Sequence, residues 1–329
     1  MSPENSKKTV LVLGGAGYVG SVVCHLLLQR GYRVRVLDSL LHGGRSLLGL
    51  YQGADFHFIR GDVRDAAVVE RALTGADAVI HLAAIVGDPA CARQPDLARS
   101  VNLEASLQLL RLAQQQGTGQ LLFASTCSNY GRMADPTQYV TEESPLAPVS
   151  LYAETKVAVE KALLASTAAQ PAITVLRFAT VFGLSPRMRF DLTVNEFTME
   201  LLTKKKLVVF GEQFWRPYIH VRDAARALVM ALEAPPEKVR GQVFNVGDTR
   251  ENYQKKGIVE LVRAQVPHPV EIQVVEKHED PRDYRVSFEK VQKVLAFQIT
   301  ARVPDGIREI AEAIQQGVFS DFSDPAYRN

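Results

Sequence analysis

Two residues four positions apart, Tyr152 and Lys156, are the clearest candidates for proton chemistry in the sequence. This spacing places both side chains on one face of a helix, and the apolar residues that follow indicate that the helix continues. An ammonium group close to a phenol stabilises the phenolate, so it lowers the tyrosine pKa from about 10 toward working pH. Tyr152 is therefore a candidate acid/base, and the Thr126 hydroxyl is a candidate to orient a substrate alcohol or carbonyl.

Three neighbouring elements must position these side chains. The apolar run Gln120–Ala124 predicts a strand that delivers Thr126, residues 132–150 read as a loop, and residues 151–169 predict the helix that carries the Tyr/Lys pair. A tyrosine and a lysine at this spacing also occur on ordinary helix surfaces. The catalytic interpretation therefore depends on the rest of the chain.

A nucleotide-binding pattern lies near the start of the chain. The apolar run Thr9–Leu13 predicts a strand buried on both faces of a parallel sheet, and a helix and a second strand ending at Asp38 follow it. Strand, glycine loop, helix, strand and acidic residue form the dinucleotide fingerprint in its required context. The glycines let the backbone approach a pyrophosphate, whereas Asp38 suits ribose hydroxyls and repels a 2′-phosphate, which favours NAD over NADP. The glycine loop reads Gly14-Gly15-Ala16-Gly17-Tyr18-Val19-Gly20.

Strands and helices continue to alternate as far as Phe178, which predicts an α/β fold with a doubly wound parallel sheet of the Rossmann type. Ligands bind such sheets at the carboxyl ends of the strands, where the glycine loop, Ala83–Ala84 and Thr126 all fall. A long amphipathic helix is predicted at 97–116. The further predicted strands are 55–59, 78–84, 172–178 and 242–246, and the further helices are 65–73 and 223–232.

The regular alternation stops after Phe178, where glycines and prolines punctuate the chain. We predict that residues 1–178 plus 223–249 form an NAD-binding domain. Residues 179–222 plus 250–329 would form a smaller, discontinuous substrate-binding lobe.

Composition excludes several other classes of function. The 329 residues are 47% hydrophobic and 22% charged with a net charge of +2, which is typical of a globular protein and too mild for nucleic-acid binding. The three cysteines show no disulfide or metal-ligand spacing, so no metal site is expected. No apolar run reaches the ~18 residues that a membrane span needs. The polar N-terminus has no signal-peptide pattern, so a cytoplasmic location and no membrane partner are expected.

With these features assembled, the chain resembles the extended short-chain dehydrogenases/reductases that act on nucleotide sugars, of the UDP-galactose 4-epimerase type. The resemblance covers nearly the full length and is highly specific for the superfamily. It rests on Gly14-x-x-Gly17-x-x-Gly20, Asp38, Asp62-Val63, Leu82-Ala83-Ala84, Asn102, Ser125-Thr126, Tyr152-x-x-x-Lys156 and Arg216-Pro217-Tyr218-Ile219-His220-Val221.

In such enzymes the tyrosine is the acid/base, the lysine binds the nicotinamide ribose, and the threonine hydrogen-bonds the sugar oxygen. The resemblance implies an NAD site made of Gly14, Gly17, Tyr18, Val19, Gly20, Asp38, Asp62, Val63, Leu82, Ala83, Ala84, Asn102, Ser125, Tyr152, Lys156 and Phe178. It also implies a nucleotide-diphosphate sugar substrate, with substrate-binding residues Thr126, Arg187, Arg189, Asn195, Arg216 and Arg282. Exposed arginines suit this task because a guanidinium offers two donors to a phosphate, although each arginine alone also fits a surface salt bridge.

The residues after Thr126 discriminate among reactions. Related 4,6-dehydratases carry Thr-Asp-Glu, whereas this chain has Thr126-Cys127-Ser128, so dehydration by that route is not expected. In related keto-sugar epimerases a cysteine near this position exchanges a proton, which requires a lowered thiol pKa. Those enzymes also use a Lys or His as the opposing acid, and the loop 182–189 has neither. We therefore favour a structural role for Cys127, packed as a small apolar side chain, and keep the catalytic role open.

These features predict an NAD-dependent nucleotide-sugar epimerase that oxidises a sugar hydroxyl transiently and returns the hydride to the opposite face. Three alternatives stay open: a ketoreductase or dehydrogenase with net cofactor turnover, a keto-sugar epimerase that uses Cys127, and a non-catalytic nucleotide-binding scaffold. Related enzymes pair the helices predicted here at 97–116 and 151–169 into dimers, so a homodimer is expected.

Overall fold

The structure, a computed structural model, describes residues 7–133, 135, 138–276 and 282–329. Its strands are β1 (Thr9–Leu13), β2 (Arg33–Asp38), β3 (Phe56–Arg60), β4 (Ala78–His81), β5 (Gln120–Thr126), β6 (Ala172–Phe178), β7 (Thr180–Phe182), β8 (Lys206–Phe210), β9 (Trp215–His220), β10 (Gln242–Val246), β11 (Asn252–Gln254) and β12 (Glu271–Val275). Its α-helices are α1 (Tyr18–Gln29), α2 (Ala66–Leu73), α3 (Asp88–Arg93), α4 (Pro95–Arg99), α5 (Ala105–Gln115), α6 (Leu151–Leu164), α7 (Thr193–Thr203), α8 (Val221–Glu233), α9 (Pro236–Val239), α10 (Lys255–Arg263), α11 (Glu289–Leu295) and α12 (Val303–Gln315).

The chain divides into two units. Unit 1 comprises Met1–Ser125, Ser150–Leu176 and Ala225–Val243, and unit 2 comprises Thr126–Val149, Arg177–Ala224 and Phe244–Asn329. These bounds differ from the predicted domains chiefly at Thr126–Val149, because that segment makes isolated bridges to the C-terminal part of unit 2, Arg132 to Asp283 and Val140 to Val286. The functional assignment of the two predicted domains stays a prediction.

A seven-stranded sheet has the order β10-β6-β5-β4-β1-β2-β3. The neighbouring pairs β1–β2, β2–β3, β1–β4 and β4–β5 are parallel. Every residue in the apolar strands Thr9–Leu13 and Ala78–His81 is buried, as expected for the central strands of a parallel sheet. The predicted α/β fold with a doubly wound sheet is therefore confirmed, and the strand order reverses between β1 and β4, where such sheets bind ligands.

The helix predicted over 97–116 is interrupted in the structure. Helix α4 ends at Arg99, a π-helical turn spans Ser100–Glu104, and α5 begins at Ala105. The Ser106 hydroxyl donates to the carbonyl of Asn102 at 2.7 Å, a side-chain bond that accompanies the widened turn. Apolar periodicity alone does not reveal such a one-residue insertion.

Two predicted boundaries also shift. The helix predicted over 151–169 ends at Leu164, and the strand predicted over 78–84 ends at His81. Residues 82–84 consequently belong to the loop that follows β4. In the described ranges, no helix is both long enough and apolar enough to cross a membrane.

Unit 2 contains two small sheets that the sequence pattern did not predict. One has the order β11-β9-β7, and the other pairs β8 with β12 in parallel. Side chains from β7, β9, α7, α10 and α12 share one apolar core. These strands have three to six residues, too short for period-two alternation to identify them.

Candidate active site

The glycine loop brings the backbone close to its neighbours. Gly14 has φ +83°, and a Cβ there would lie 2.7 Å from the Ala83 nitrogen. A Cβ on Gly20 would lie 2.8 Å from the Gly15 Cα. Helix α1 is described throughout, and it has neither a side-chain cap at Gly17 nor an acidic residue in its first turn. Its positive N-terminal end therefore suits the pyrophosphate of NAD, so these residues fit the predicted cofactor.

Asp38 ends β2 beside this loop. Its carboxylate accepts hydrogen bonds from the backbone N–H of Ala16 at 3.0 Å and of Leu40 at 2.8 Å. Ser46, which sequence analysis missed, donates from its hydroxyl to the Ala16 carbonyl at 2.8 Å. The two backbone N–H bonds fix the acidic side chain relative to the glycine loop, and the Ser46 bond holds the loop itself at Ala16.

The other predicted NAD residues of unit 1 follow β3 and β4. Asp62 pairs with exposed Arg64 at 2.6 Å, and hydrogen bonds from Arg64 lower the pKa of Asp62. Val63 is buried. Asn102 accepts from the Ile85 N–H at 2.8 Å and donates to the Ile85 carbonyl at 3.0 Å. Asn102 therefore holds the loop after Leu82, Ala83 and Ala84.

Lys156 lies on α6, one turn after Tyr152. Its Nζ is 2.8 Å from the Ala124 carbonyl oxygen, 5.9 Å from the centroid of the Tyr152 ring and 4.6 Å from that of Phe123. Burial lowers the pKa of Lys156 to about 8. The structure thus brings the predicted Tyr/Lys pair together, against the end of β5.

Sequence analysis missed two side chains that hold α6. The Ser150 hydroxyl caps the helix by accepting from the Ala153 N–H, and it donates to Asp88 at 2.7 Å. Ser125, predicted to contact NAD, donates its hydroxyl to the buried carboxylate of Glu160. The i,i+4 spacing of Lys156 and Glu160 was the sequence signal that could have identified Glu160.

Thr126 and Cys127 belong to unit 2. Thr126 is the last residue of β5, and its hydroxyl accepts from the Ser128 N–H at 3.1 Å, which caps the 3-10 turn Cys127–Tyr130. The thiol of Cys127 is buried and donates to the Arg177 carbonyl at 3.3 Å. A buried thiol with an internal acceptor agrees with a structural role, and the catalytic role stays a prediction.

The predicted substrate residues of unit 2 are less exposed than the sequence analysis assumed. Relative exposure is 6% for Arg187, 8% for Arg189 and 7% for Arg216. Arg189 makes two hydrogen bonds to Asp191, at 2.9 and 2.7 Å, and Arg187 donates to the Arg328 carbonyl at 2.9 Å. These internal acceptors account for the burial of two of the guanidinium groups.

An aromatic ring contacts one of the remaining predicted substrate residues. The Arg216 guanidinium lies 5.3 Å from the centroid of the Tyr284 ring. Arg282, in the same C-terminal segment as Tyr284, is partly buried. Phe178, which was predicted to bind NAD, is buried at the end of β6. The Phe190 ring makes edge contacts with Phe319, Phe322 and Tyr327. Sequence analysis assigned no role to this aromatic cluster.

Asn195 on α7 bridges the two ends of the loop that carries Arg187. Its Oδ1 accepts from the Gly183 N–H at 2.9 Å, and its Nδ2 donates to the Arg189 carbonyl at 2.8 Å. Asn195 is fully buried. Its observed contacts are therefore with the loop backbone, and its role in substrate binding stays a prediction.

Comparison with known proteins agrees with this geometry. The UDP-glucose 4-epimerase of Corynebacterium glutamicum is 32% identical over 307 residues, which span 88% of this chain and 90% of that protein. The Thermus thermophilus UDP-glucose 4-epimerase in complex with NAD is 28% identical with a TM-score of 0.81, covering 94% of this chain and 99% of that one. The Bacillus cereus UDP-glucuronic acid 4-epimerase, in complex with UDP-glucuronic acid and NAD, is 25% identical with a TM-score of 0.84 and the same coverage of 94% and 99%.

The sequence model of one protein family matches the region that holds the glycine loop, Asp38 and the Tyr152/Lys156 pair. It extends over residues 10–247, well over half of the chain. The predicted membership of the extended short-chain dehydrogenases/reductases and the predicted cofactor are both confirmed by this match. The chain belongs to the NAD dependent epimerase/dehydratase family.

Proposed function

We propose that the protein inverts a carbon of a nucleotide-diphosphate sugar by transient oxidation to a ketone. The observation that carries the proposal is the buried Lys156 ammonium, 5.9 Å from the ring centroid of Tyr152 and anchored on the Ala124 carbonyl. A cation held at this distance favours the phenolate that proton abstraction needs. The similarity to UDP-glucose 4-epimerases and a UDP-glucuronic acid 4-epimerase supports the choice of an epimerase.

Each catalytic side chain has a defined role in this proposal. Tyr152 as phenolate accepts the proton of the sugar hydroxyl and returns it at the end of the cycle, acting first as base and then as acid. Thr126 hydrogen-bonds the oxygen that loses this proton. Lys156 supplies the positive charge and binds the nicotinamide ribose. NAD, when bound, supplies the site that takes up the hydride and gives it back.

Binding residues are assigned from the sequence motifs that carry the family resemblance. The glycine loop would hold the pyrophosphate of NAD, Asp38 the adenosine ribose and Asp62-Val63 the adenine. Arg187, Arg189, Asn195, Arg216 and Arg282 would hold the diphosphate sugar. A buried guanidinium is preorganised for this task because its rotamer is already fixed by neighbouring groups.

The proposal is tested by replacing Tyr152 with Phe, which removes only the hydroxyl. Turnover should fall by about 10²–10⁴-fold, the usual contribution of a general acid/base, while bound NAD is retained. NMR would follow the products of UDP-, dTDP- and GDP-sugars incubated with the protein and no added cofactor. Tyr51→Phe, which removes the hydroxyl of an exposed tyrosine, should keep the full rate. An active Tyr152→Phe protein would refute the assignment.

The same assay separates the alternatives. With NAD or NADH added in excess, formation of NADH matched by oxidised sugar, or consumption of NADH matched by reduced sugar, would identify a dehydrogenase or ketoreductase with net cofactor turnover. Loss of turnover in Cys127→Ser, with Tyr152→Phe still active on a keto-sugar, would identify the thiol as the acid/base. Absence of conversion and of hydride exchange across the panel would favour a binding scaffold.

A further inference from the structure

Helix α6 buries a carboxylate that the proposed chemistry does not use. Glu160 is 1% exposed and lies one helical turn after Lys156, which is 3% exposed. The Ser125 hydroxyl donates a hydrogen bond to the Glu160 Oε1. Burial of either ion alone is strongly unfavourable, whereas a pair of opposite charges with a hydrogen-bond donor offsets that cost.

The groups facing Lys156 come from four elements. Tyr152 and Glu160 lie on α6, His81 ends β4, Cys91 lies on α3, and the Ala124 carbonyl belongs to β5. Burial, with the Lys156 charge as a second cause, lowers the pKa of His81 to about 3, so its ring is neutral. Burial raises the pKa of the Cys91 thiol to about 11, so it is uncharged as well.

We propose that Glu160, held by Ser125, is a positioning residue whose carboxylate keeps the Lys156 ammonium protonated and available to Tyr152. Glu160 acts through Lys156 and touches neither the sugar nor the reacting atoms. The inference deepens the proposed function and rests on it, since it assigns what maintains the charge that Tyr152 needs. The i,i+4 spacing places both residues on one face of α6, where the Glu160 charge acts on Lys156.

The direction in which the Lys156 pKa changes follows from the charges around it. Burial lowers the pKa of Lys156 to about 8, and the Glu160 charge acts in the opposite direction. Without Glu160 the pKa of Lys156 would fall further. As pH rises, the ammonium would then lose its proton at a lower pH than it does with Glu160 present. The alkaline limb of the activity profile would move to lower pH by the same amount.

The test uses the NAD-saturated protein with Glu160→Gln, which removes the charge and keeps an acceptor for Ser125. Lysine ε-carbons labelled with ¹³C report protonation of Lys156 directly, with its resonance assigned by its absence in Lys156→Met. In Glu160→Gln we expect this titration and the alkaline limb of kcat/KM to move at least about one pH unit lower. Glu160→Asp, which keeps the charge at a greater distance, should give a smaller shift in the same direction.

Glu154→Gln is the matched control, because it removes an exposed carboxylate from the same helix and should leave the titration in place. If Glu160→Gln does not fold, the shift in Glu160→Asp decides alone. An unchanged Lys156 titration in the folded variants would overturn the proposal. The NMR titration needs no turnover, so absence of wild-type epimerase activity would refute the proposed function separately.

Discussion

Gly14 is a residue at which the dinucleotide loop tolerates little change. Its φ of +83° excludes most side chains, and an added Cβ would meet the Ala83 backbone at 2.7 Å. Gly31 has the same φ of +83°, yet nothing lies within 4 Å of its Cβ position. Comparing alanine substitutions at these two glycines therefore separates the effect of backbone strain from the effect of close approach to a neighbouring backbone.

We predict that Gly14→Ala weakens NAD binding at least about tenfold, equivalent to about 1.4 kcal/mol, because the loop must move away from Ala83. Gly31→Ala should cost only the strain of a left-handed residue, roughly 1–2 kcal/mol of stability, and keep its NAD. Calorimetric titration of each apoprotein with NAD and thermal unfolding measure both quantities. Equal NAD affinities in the two variants would contradict the assignment of the loop.

At the scale of elements, two buried or partly buried side chains hold the segment between β7 and α7. Asn195 bonds Gly183 at one end and Arg189 at the other, and Leu184 N–H donates to Glu309 at 2.7 Å. Glu309 also bonds His220 at 2.6 Å. The loop is thereby held by α7 and α12 of its own unit, with His220 of β9 bonded to the α12 carboxylate.

We predict that Asn195→Ala lowers the free energy of unfolding by about 1–3 kcal/mol, because two buried hydrogen bonds are lost. KM for the nucleotide sugar should rise more than the Kd for NAD, since the loop carries Arg187 and Arg189. Urea unfolding and steady-state kinetics check both effects. Thr198→Ala on the same helix removes a hydroxyl that donates to the Val194 carbonyl within the helix, so it should reduce stability without raising KM. An unchanged KM in Asn195→Ala would argue against a substrate role for the loop.

At the scale of the whole molecule, each unit has its own apolar core. Helices α5 and α6 line the core of unit 1 with Leu109, Leu110 and Leu163, while Leu164 on α6 is 38% exposed. An exposed leucine at the end of α6 agrees with the expected pairing of two copies. The homodimer stays a prediction.

We predict that sedimentation equilibrium gives twice the mass of the chain, and that Leu164→Glu shifts it toward the monomer. A charge buried at a dimer interface without a partner is strongly unfavourable. Leu48→Glu, at a residue 67% exposed and outside both helices, should leave the dimer intact. A wild-type monomer would contradict the prediction.

Local sequence patterns were enough to predict much of the fold, the cofactor and the family of this protein. Thr9–Leu13, the glycine loop, Asp38 and the Tyr152/Lys156 spacing predicted the sheet, the cofactor and the family, because each depends on near neighbours and on a fixed period. The short strands of unit 2 escaped prediction because runs of three to six residues carry too little periodicity.

Only the tertiary structure decided which distant groups meet. Ser125 bonds Glu160, 35 residues away, and Arg187 bonds the Arg328 carbonyl, 141 residues away. Such contacts accompany the burial of arginines expected at the surface and of the Glu160 carboxylate, which the i,i+4 spacing alone did not reveal. Residue type and spacing specify what chemistry is available, whereas burial and charge partners depend on how the chain packs, which no local pattern encodes.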